Sequence, residues 1–248
     1  MARRPARRSA PSERNAAPSG RNAAPSEPPR SDREKIIAAL LALLAEQRIE
    51  AISLADIGRE AGVSLGRLRE EFPGKLAIYA AHVKAIDCAV LAEDFSDMAD
   101  EPPRERLFDV LMRRLDKMAP HRDAVRSLLR SAGRNPPLAL ALNGLAARSA
   151  QWMLSAADIN FSGPFGAVRA QGLALLFASV IQTWLNDDDP GLARTMAALD
   201  RALARGQRFS GFLDDLCTIP SAFCRLRPRR RRARRRDDGD EAEETAAA

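Results

Sequence analysis

Residues 53–78 read SLADIGREAGVSLGRLREEFPGKLAI, and this stretch decides the fold. Ser53, with Asp56 three residues later, forms a capping-box pattern that predicts the start of a helix. Gly62 stands where that helix ends, in a left-handed conformation that only glycine adopts cheaply. Ser64 is a natural cap for a second helix. The pattern predicts a helix-turn-helix, the unit that lays its second helix in the major groove of DNA.

The apolar residues around this turn repeat at helical spacing and predict one buried face. Within the segment they are Leu54, Ile57, Ala61, Val63, Leu68 and Phe72. A preceding helix carries its own apolar face at Ile36, Ile37, Leu40, Leu41 and Leu44. Together these positions predict three short helices around a small core.

The exact order of residues in the segment is more specific than its apolar periodicity. The order Asp-Ile-Gly, Ala-Gly-Val-Ser-x-Gly and Phe-Pro-Gly-Lys resembles the DNA-binding domain of TetR-family transcriptional regulators over about residues 32–83. The resemblance implies an all-α, TetR-like fold, with an N-terminal helix-turn-helix domain and a larger C-terminal helical bundle. It also implies a homodimeric regulator or repressor that binds operator DNA. The DNA-binding candidates are Ser64, Leu65, Gly66, Arg67, Arg69 and Lys75.

This chain departs from the family pattern where DNA would be touched. The family usually has a Tyr followed by a small or basic residue before the Phe, whereas here Arg69 is followed by Glu70 and Glu71. Arg69 can contact a phosphate at least as well as Tyr. However, the basic and acidic side chains of residues 53–76 balance each other. A protein that reads a groove normally gathers positive charge there, so the electrostatic signal for DNA binding is weaker than the fold signal.

Charge is unevenly distributed along the chain. The 248 residues carry a net charge of +6, but residues 31–210 contain 23 basic and 23 acidic side chains. The excess positive charge therefore belongs to the two ends of the chain. We predict disordered tails at residues 1–30, rich in Pro, Ser, Ala and Arg, and at residues 225–248, first Arg-rich and then acidic. The first tail is either an arm for the minor groove or simply solvated.

No residue pattern favours catalysis or metal binding. Cys88, Cys217 and Cys224 include no CxxC pair, and only His82 and His121 could join them as ligands. We therefore expect no metal, no cofactor and a reduced, cytosolic setting. No phosphate-binding loop, nucleophile elbow or pair of catalytic carboxylates stands out, so an enzyme is not expected.

The remaining sequence predicts a helical ligand-binding and dimerisation domain over residues 85–206. Residues 172–185 are apolar nearly all round but too few to span a bilayer, which predicts a core or interface helix. Asp189 and Pro190 are expected to begin the last helix, which Gly206 ends. The resemblance implies that helices 167–185 and 190–205 pair with those of a second copy around an apolar effector cavity. The candidate cavity residues are Trp152, Met153, Leu176, Phe177, Val180 and Trp184. For any one of the aromatic residues among them, filling the core is the favoured interpretation.

A second resemblance concerns residues 106–205. The elements MRRLDKMAPHR, SAQWMLSAADIN and TWLNDDDPGLARTMAALDRAL resemble the C-terminal domain of a TetR-like lipid-binding family of coenzyme Q (ubiquinone) biosynthesis. That resemblance implies an isoprenoid lipid in the cavity and a peripheral membrane contact through an amphipathic helix at residues 207–224. The stripe that would face the membrane, or fold back on the body, is Phe209, Phe212, Leu213 and Leu216. The regulator is our preferred hypothesis, and a membrane-associated accessory protein with a degenerate helix-turn-helix is the alternative.

Overall fold

The computed structural model describes residues 31–159 and 166–206. Every regular element in these two ranges is helical, as the sequence predicts. The α-helices are α1 (Asp32–Glu46), α2 (Leu54–Ala61), α3 (Leu65–Glu71), α4 (Lys75–Leu91), α5 (Pro103–Met118), α6 (Arg122–Ala132), α7 (Pro136–Ala156), α8 (Gly166–Trp184) and α9 (193–206). Short 3₁₀ turns occupy Ser96–Met98 and Ala119–His121. The predicted tails and the predicted amphipathic helix at residues 207–224 lie outside the described residues.

Side-chain caps set the helix starts that the sequence predicts. Ser53 and Asp56 form a complete capping box on α2, and Ser31 forms another with Glu34 on α1. Each box satisfies two backbone N–H groups that the first turn of a helix leaves without partners. The side chain of Asn135 caps α7, which begins with Pro136.

The N-terminal core lies between α1, α2, α3 and the first half of α4. Its fully buried side chains include Ile36, Leu40, Leu44, Ile57, Leu68 and Ile78. Ala124 and Leu128 of α6 also belong to this core, so the helix-turn-helix is completed by a helix from the second half of the chain. Burial of these apolar surfaces, rather than the propensity of such short helices, stabilises the domain.

A second core lies between α5, α7, α8, α9 and the second half of α4. Ile78 of α4 packs in the N-terminal core, whereas Ile86 and Val90 of the same helix pack in the C-terminal one. The predicted domain boundary after residue 84 thus falls inside α4. None of the described helices is long and apolar enough to cross a membrane.

The start of α9 differs from the prediction. The sequence predicts a helix from Pro190, but helical backbone begins at residue 193, after Leu192 with a φ of 51°. Asp187 is the reason, because its Oδ2 accepts hydrogen bonds from the Thr195 N–H at 2.8 Å and the Thr195 hydroxyl at 2.7 Å. Asp189 adds a bond from the N–H of Ala193 at 3.2 Å. Two carboxylates thus share the cap, and Pro190 lies in the turn before it.

Candidate functional site: the helix-turn-helix and the cavity behind it

The turn between α2 and α3 is fixed by two glycines. Gly62 has a φ of 66°, in the left-handed region, and the N–H of Val63 donates to the carbonyl of Gly58 at 2.9 Å. A Cβ atom at Gly58 would lie 3.1 Å from the carbonyl oxygen of Val63, so a larger residue there would require the Val63 backbone to shift by a few tenths of an ångström. The role of Gly62 was predicted from the sequence, whereas that of Gly58 was not, although a glycine inside a short helix is a signal for it.

Helix α3 is anchored by one side and exposed on the other. Leu68 is its buried residue, and the hydroxyl of Ser64 accepts a hydrogen bond from the N–H of Arg67 at 3.2 Å. Leu65 is 55% exposed, an unusual position for a leucine, and Gly66 and Arg69 are also exposed. The first turn of α3 therefore presents both apolar and polar groups to solvent.

Arg67 lies in a cage of carboxylates. Its guanidinium forms ion pairs at 3.0 Å with Asp32 of α1 and with Glu70 and Glu71 of its own helix. The hydrogen bond to Asp32, followed by that to Glu70, raises the pKa of Arg67. Conversely, hydrogen bonds from Arg67 and then Lys35 lower the pKa of Asp32. The positive charge of Arg67 is thus balanced within the protein.

Arg69 has a different environment. Its Nη1 donates to the carbonyl of Pro73 at 3.3 Å, and no carboxylate of residues 31–159 or 166–206 lies within ion-pair distance of it. Arg59 of α2 pairs with Asp56 at 3.1 Å. Among the arginines of α2 and α3, Arg69 therefore contributes an unbalanced positive charge at the surface.

The ammonium group of Lys75 donates hydrogen bonds within the protein. Nζ donates to the carbonyl oxygens of Ile49 and Ile52, each at 2.6 Å. These bonds connect the start of α4 to the loop between α1 and α2, so Lys75 fixes the position of that loop. A contact between Lys75 and DNA stays a prediction, with one N–H of the ammonium left to make it.

Behind the helix-turn-helix, α4 to α8 enclose a cavity of about 250 Å³. Its lining is mostly apolar and includes Ile86, Leu111, Met118, Leu142, Met153 and Phe177. Two of the six predicted cavity residues, Met153 and Phe177, are therefore in place.

The other four predicted residues do not line the cavity. Trp152 is 55% exposed, because it lies on the side of α7 that faces solvent, whereas Met153 lies on the buried side. Trp184 and Val180 are buried in the C-terminal core, where Arg122 packs over the indole ring of Trp184 at 5.1 Å. Leu176 faces the end of α9, since a Cβ atom on Gly206 would lie 3.2 Å from its Cδ1.

The cavity wall also carries a buried ion pair that our sequence analysis missed. Arg114 of α5 and Asp87 of α4 are each 7% exposed, and Arg114 Nη1 donates to Asp87 Oδ1. The hydroxyl of Ser149 on α7 donates to the same oxygen at 2.7 Å. Helical spacing could have indicated that Arg114 is buried. It follows Leu107 by seven residues and Leu111 by three, which places it on the apolar face of α5.

Two further titratable side chains, Tyr79 and His82, line the cavity without adding charge at neutral pH. Burial lowers the pKa of His82 to about 4, with smaller contributions from His121 and Arg114. Burial likewise raises the pKa of Tyr79 to about 12. Among the described residues, Nε2 of His82 has no hydrogen-bond partner. At neutral pH the wall thus holds neutral imidazole, neutral phenol and one balanced ion pair.

Helix α6 connects the cavity to the helix-turn-helix. The Ser127 hydroxyl donates to the carbonyl of Gln47 at the end of α1 at 2.8 Å, and Leu128 both lines the cavity and belongs to the N-terminal core. Arg122 donates to the carbonyl of Asp187 at 2.6 Å, just after α8. Arg126 donates to the carbonyl of Leu185. Helix α6 therefore contacts α1, the cavity and the end of α8.

No protein-family model matches the sequence, and no curated protein sequence matches it. Solved structures do resemble it. A TetR transcriptional regulator from Nitrosomonas europaea ATCC 19718 is 20% identical, with a TM-score of 0.55 over 72% of this chain and 99% of that one. A TetR transcriptional regulator from Rhodococcus sp. RHA1 is 22% identical, with a TM-score of 0.50 over 71% of this chain and 95% of that one. The described part of the chain thus has a TetR-like fold.

Proposed function

We propose that this chain is a TetR-type transcriptional regulator that binds operator DNA as a homodimer through α3. The observation that carries the proposal is the exposed first turn of α3, held by the capped glycine turn and by Leu68 beneath it. A recognition helix needs this arrangement, because its N-terminal residues must reach base edges while its other side stays anchored. The fold shared with the two TetR transcriptional regulators supports the same function.

The charges of α3 indicate how it would contact DNA. Arg69 is free of carboxylate partners within the described ranges, so it is the residue we expect to bind a phosphate. Arg67 can do so only by exchanging Asp32 and Glu71 for the phosphate, which lowers its net contribution. We expect Leu65 and Gly66, exposed on the first turn of α3, to contact base edges, and Ser64 and Lys75 to contact the DNA backbone. We expect a modest affinity and a shallow salt dependence, since few counterions are released.

Exposed apolar side chains support dimerisation through α8 and α9. Val168 and Leu175, seven residues apart on one face of α8, are 47% and 58% exposed. Met196 on α9 is also exposed. A second copy that packs its α8 and α9 on this face would bury these side chains in a four-helix interface. The helix-turn-helix would then be presented twice, as a two-fold operator requires.

The cavity supports the proposal that a small-molecule effector regulates DNA binding. A ligand in the cavity would contact Leu128 of α6, which also packs in the core beneath the helix-turn-helix. Such a ligand changes DNA affinity only if it binds the DNA-bound and free conformations with different strength. The chemistry of the lining indicates a mostly apolar small molecule.

Selection from a random duplex pool, followed by fluorescence anisotropy at physiological salt, tests the proposal. We expect the selected duplex to bind the full chain more tightly than a scrambled duplex of equal length. Arg69→Ala should weaken that binding about ten-fold or more, because phosphate and base contacts of arginine are among the stronger ones. Arg59→Ala, which removes the same charge from α2, is the matched control. Equal binding to selected and scrambled duplexes would overturn the proposal.

The alternative, a lipid-binding accessory protein of ubiquinone biosynthesis with peripheral membrane contact, is favoured by one observation. The carboxylates around Arg67 leave the helix-turn-helix almost neutral, as a chain that no longer binds DNA would tolerate. The cavity of about 250 Å³ is small for a long isoprenoid chain. Mass spectrometry of lipids that co-purify with the protein separates the two, since a stoichiometric isoprenoid lipid would favour the alternative.

A further inference from the structure

The cavity contains a charged hydrogen-bond donor that is only partly used. Arg114 carries five N–H donors, and in the described part of the chain its one hydrogen bond goes from Nη1 to Asp87. Its guanidinium lines the cavity and lies 5.9 Å from the ring of Phe177. An oxygen atom of a ligand at this point would accept a hydrogen bond from a charged donor, which is one of the stronger kinds.

The charge balance of the wall selects against anions. Asp87 already neutralises Arg114, and Tyr79 and His82 are neutral at physiological pH because burial shifts the pKa of each. A ligand with a carboxylate or phosphate would leave one net negative charge in an apolar cavity, which is costly. A ligand with a cationic group would find its carboxylate partner already occupied. A neutral acceptor oxygen meets the guanidinium without either penalty.

The size of the cavity limits the ligand. An apolar cavity of about 150 Å³ holds one benzene ring. In proportion, the volume of about 250 Å³ holds a molecule of one or two fused rings. Long acyl or isoprenoid chains would extend beyond it, and the aliphatic lining of Leu111, Met118 and Leu142 suits a compact ring system.

We propose that the cavity binds a neutral, compact, one- or two-ring molecule whose carbonyl oxygen accepts a hydrogen bond from Arg114. The inference rests on the proposed function, because it names the class of ligand that would act as the effector. Arg114 is then the residue that selects this class, and the apolar lining supplies most of the affinity.

Calorimetric titration of the full chain with three probes of similar size tests this ligand class. The probes are 1-indanone, with a carbonyl oxygen; indane, without one; and benzoate, an anion. We expect 1-indanone to bind about ten-fold or more tightly than indane, because hydrogen bonds from charged donors are strong, and benzoate to bind most weakly. The comparison uses the unmodified protein, so it does not depend on a variant that folds. Equal affinity for indane and 1-indanone, tighter binding of benzoate, or no binding of 1-indanone would overturn the proposal.

A double variant tests the role of Arg114 itself. Asp87→Leu with Arg114→Met replaces the ion pair by apolar side chains and leaves neither charge unpaired. We expect this variant to bind indane and 1-indanone equally. Arg113→Met, which removes the neighbouring arginine that pairs with Glu93 and Asp109, is the matched control and should keep the preference for 1-indanone. If the double variant still preferred 1-indanone to indane, Arg114 would not be the residue that selects the ligand.

DNA binding measured on the same samples separates this inference from the proposed function. Selective binding of the selected duplex without binding of 1-indanone would leave the regulator standing and overturn the ligand class. Preferential binding of 1-indanone without selective DNA binding would leave the ligand class standing and overturn the regulator.

Discussion

Two arginines of this molecule, Arg67 on α3 and Arg114 in the cavity, each meet carboxylates in very different surroundings. Arg67 lies at the surface, where water and salt screen its ion pairs. Arg114 lies in the interior, where neither it nor Asp87 can be hydrated if the partner is lost. Loss of one partner is therefore tolerated at the surface, whereas in the interior it leaves the other charge buried and destabilises the fold.

The difference also separates the two functions that we propose. At the surface, carboxylates would compete with phosphate for Arg67 and so weaken the DNA binding that we propose. In the interior, Asp87 cancels the charge of Arg114 and leaves its hydrogen-bonding capacity for a neutral ligand. Four predictions sharpen the comparison, in order of decreasing effect on stability.

The largest effect is expected at the buried pair. Arg114→Met alone leaves the carboxylate of Asp87 buried and unpaired, and should lower the free energy of unfolding by about 3–5 kcal/mol. Adding Asp87→Leu should restore most of that loss, because the pair is then replaced by apolar side chains. Urea denaturation of the single and double variants measures both values. A single variant as stable as the double one would contradict the cost of the unpaired charge.

The anchor of α3 should have the next largest effect. Leu68→Ala removes a side chain that is almost fully buried in the N-terminal core, and should lower the free energy of unfolding by about 2–4 kcal/mol. Leu65→Ala on the same helix removes a mostly exposed side chain and should leave stability nearly unchanged while it weakens DNA binding. Thermal unfolding and fluorescence anisotropy of both variants test this division. Equal losses of stability would show that Leu65 is also an anchor.

Burial of His82 should make stability depend on pH. The pKa of this imidazole falls from 6.5 in the unfolded chain to about 4 in the folded one. Between these values the unfolded state binds more protons, so the free energy of unfolding should decrease by about 2 kcal/mol from pH 7.5 to pH 5. His121, whose pKa is also lowered by burial, acts in the same direction.

Denaturation midpoints of the natural chain and of His82→Leu at the two pH values test this contribution. The variant should lose most of the decrease that His82 causes, whatever the substitution does to stability at pH 7.5. An unchanged difference between the two pH values would show that other groups cause it.

The smallest effect on stability, but a clear effect on DNA, is expected at the surface network. Glu71→Gln removes one of the three carboxylates from Arg67, and also the pair of Glu71 with Arg33 at 3.6 Å, and should change the unfolding midpoint little, since ion pairs that water reaches contribute little. DNA affinity should increase several-fold, because Arg67 becomes available to a phosphate. Asp100→Asn removes the same charge from an exposed position in the C-terminal part and is the matched control. An equal gain in the control would point to net charge alone rather than to the cage around Arg67.

Much of the helix-turn-helix could be predicted from its residues. The capping box of Ser53 and Asp56, the left-handed Gly62 and the burial of Leu68 and Phe72 are all confirmed. Each depends on interactions between residues a few positions apart, which sequence spacing encodes directly. The start of α9 was predicted wrongly, because Asp187 reaches eight residues ahead to Thr195, farther than a standard cap pattern.

The cavity was only partly predictable, for a physical reason. Apolar periodicity indicates which residues are buried. It does not indicate whether a buried side chain packs against a core neighbour or lines a cavity, because both environments exclude water. Met153 and Phe177 line the cavity, whereas Val180 and Trp184, equally apolar, fill the core.

By itself, the sequence determined the helices, the turn between α2 and α3, and the near-neutral charge of the helix-turn-helix. The tertiary structure alone decided that Asp32 of α1 would meet Arg67 of α3, and that Asp87 of α4 would meet Arg114 of α5. It also decided that α6 would complete the core of a domain encoded well before it in the chain. Local structure follows from neighbours in sequence, whereas charge pairing and cavities follow from how whole helices pack, and packing is set by all of them together.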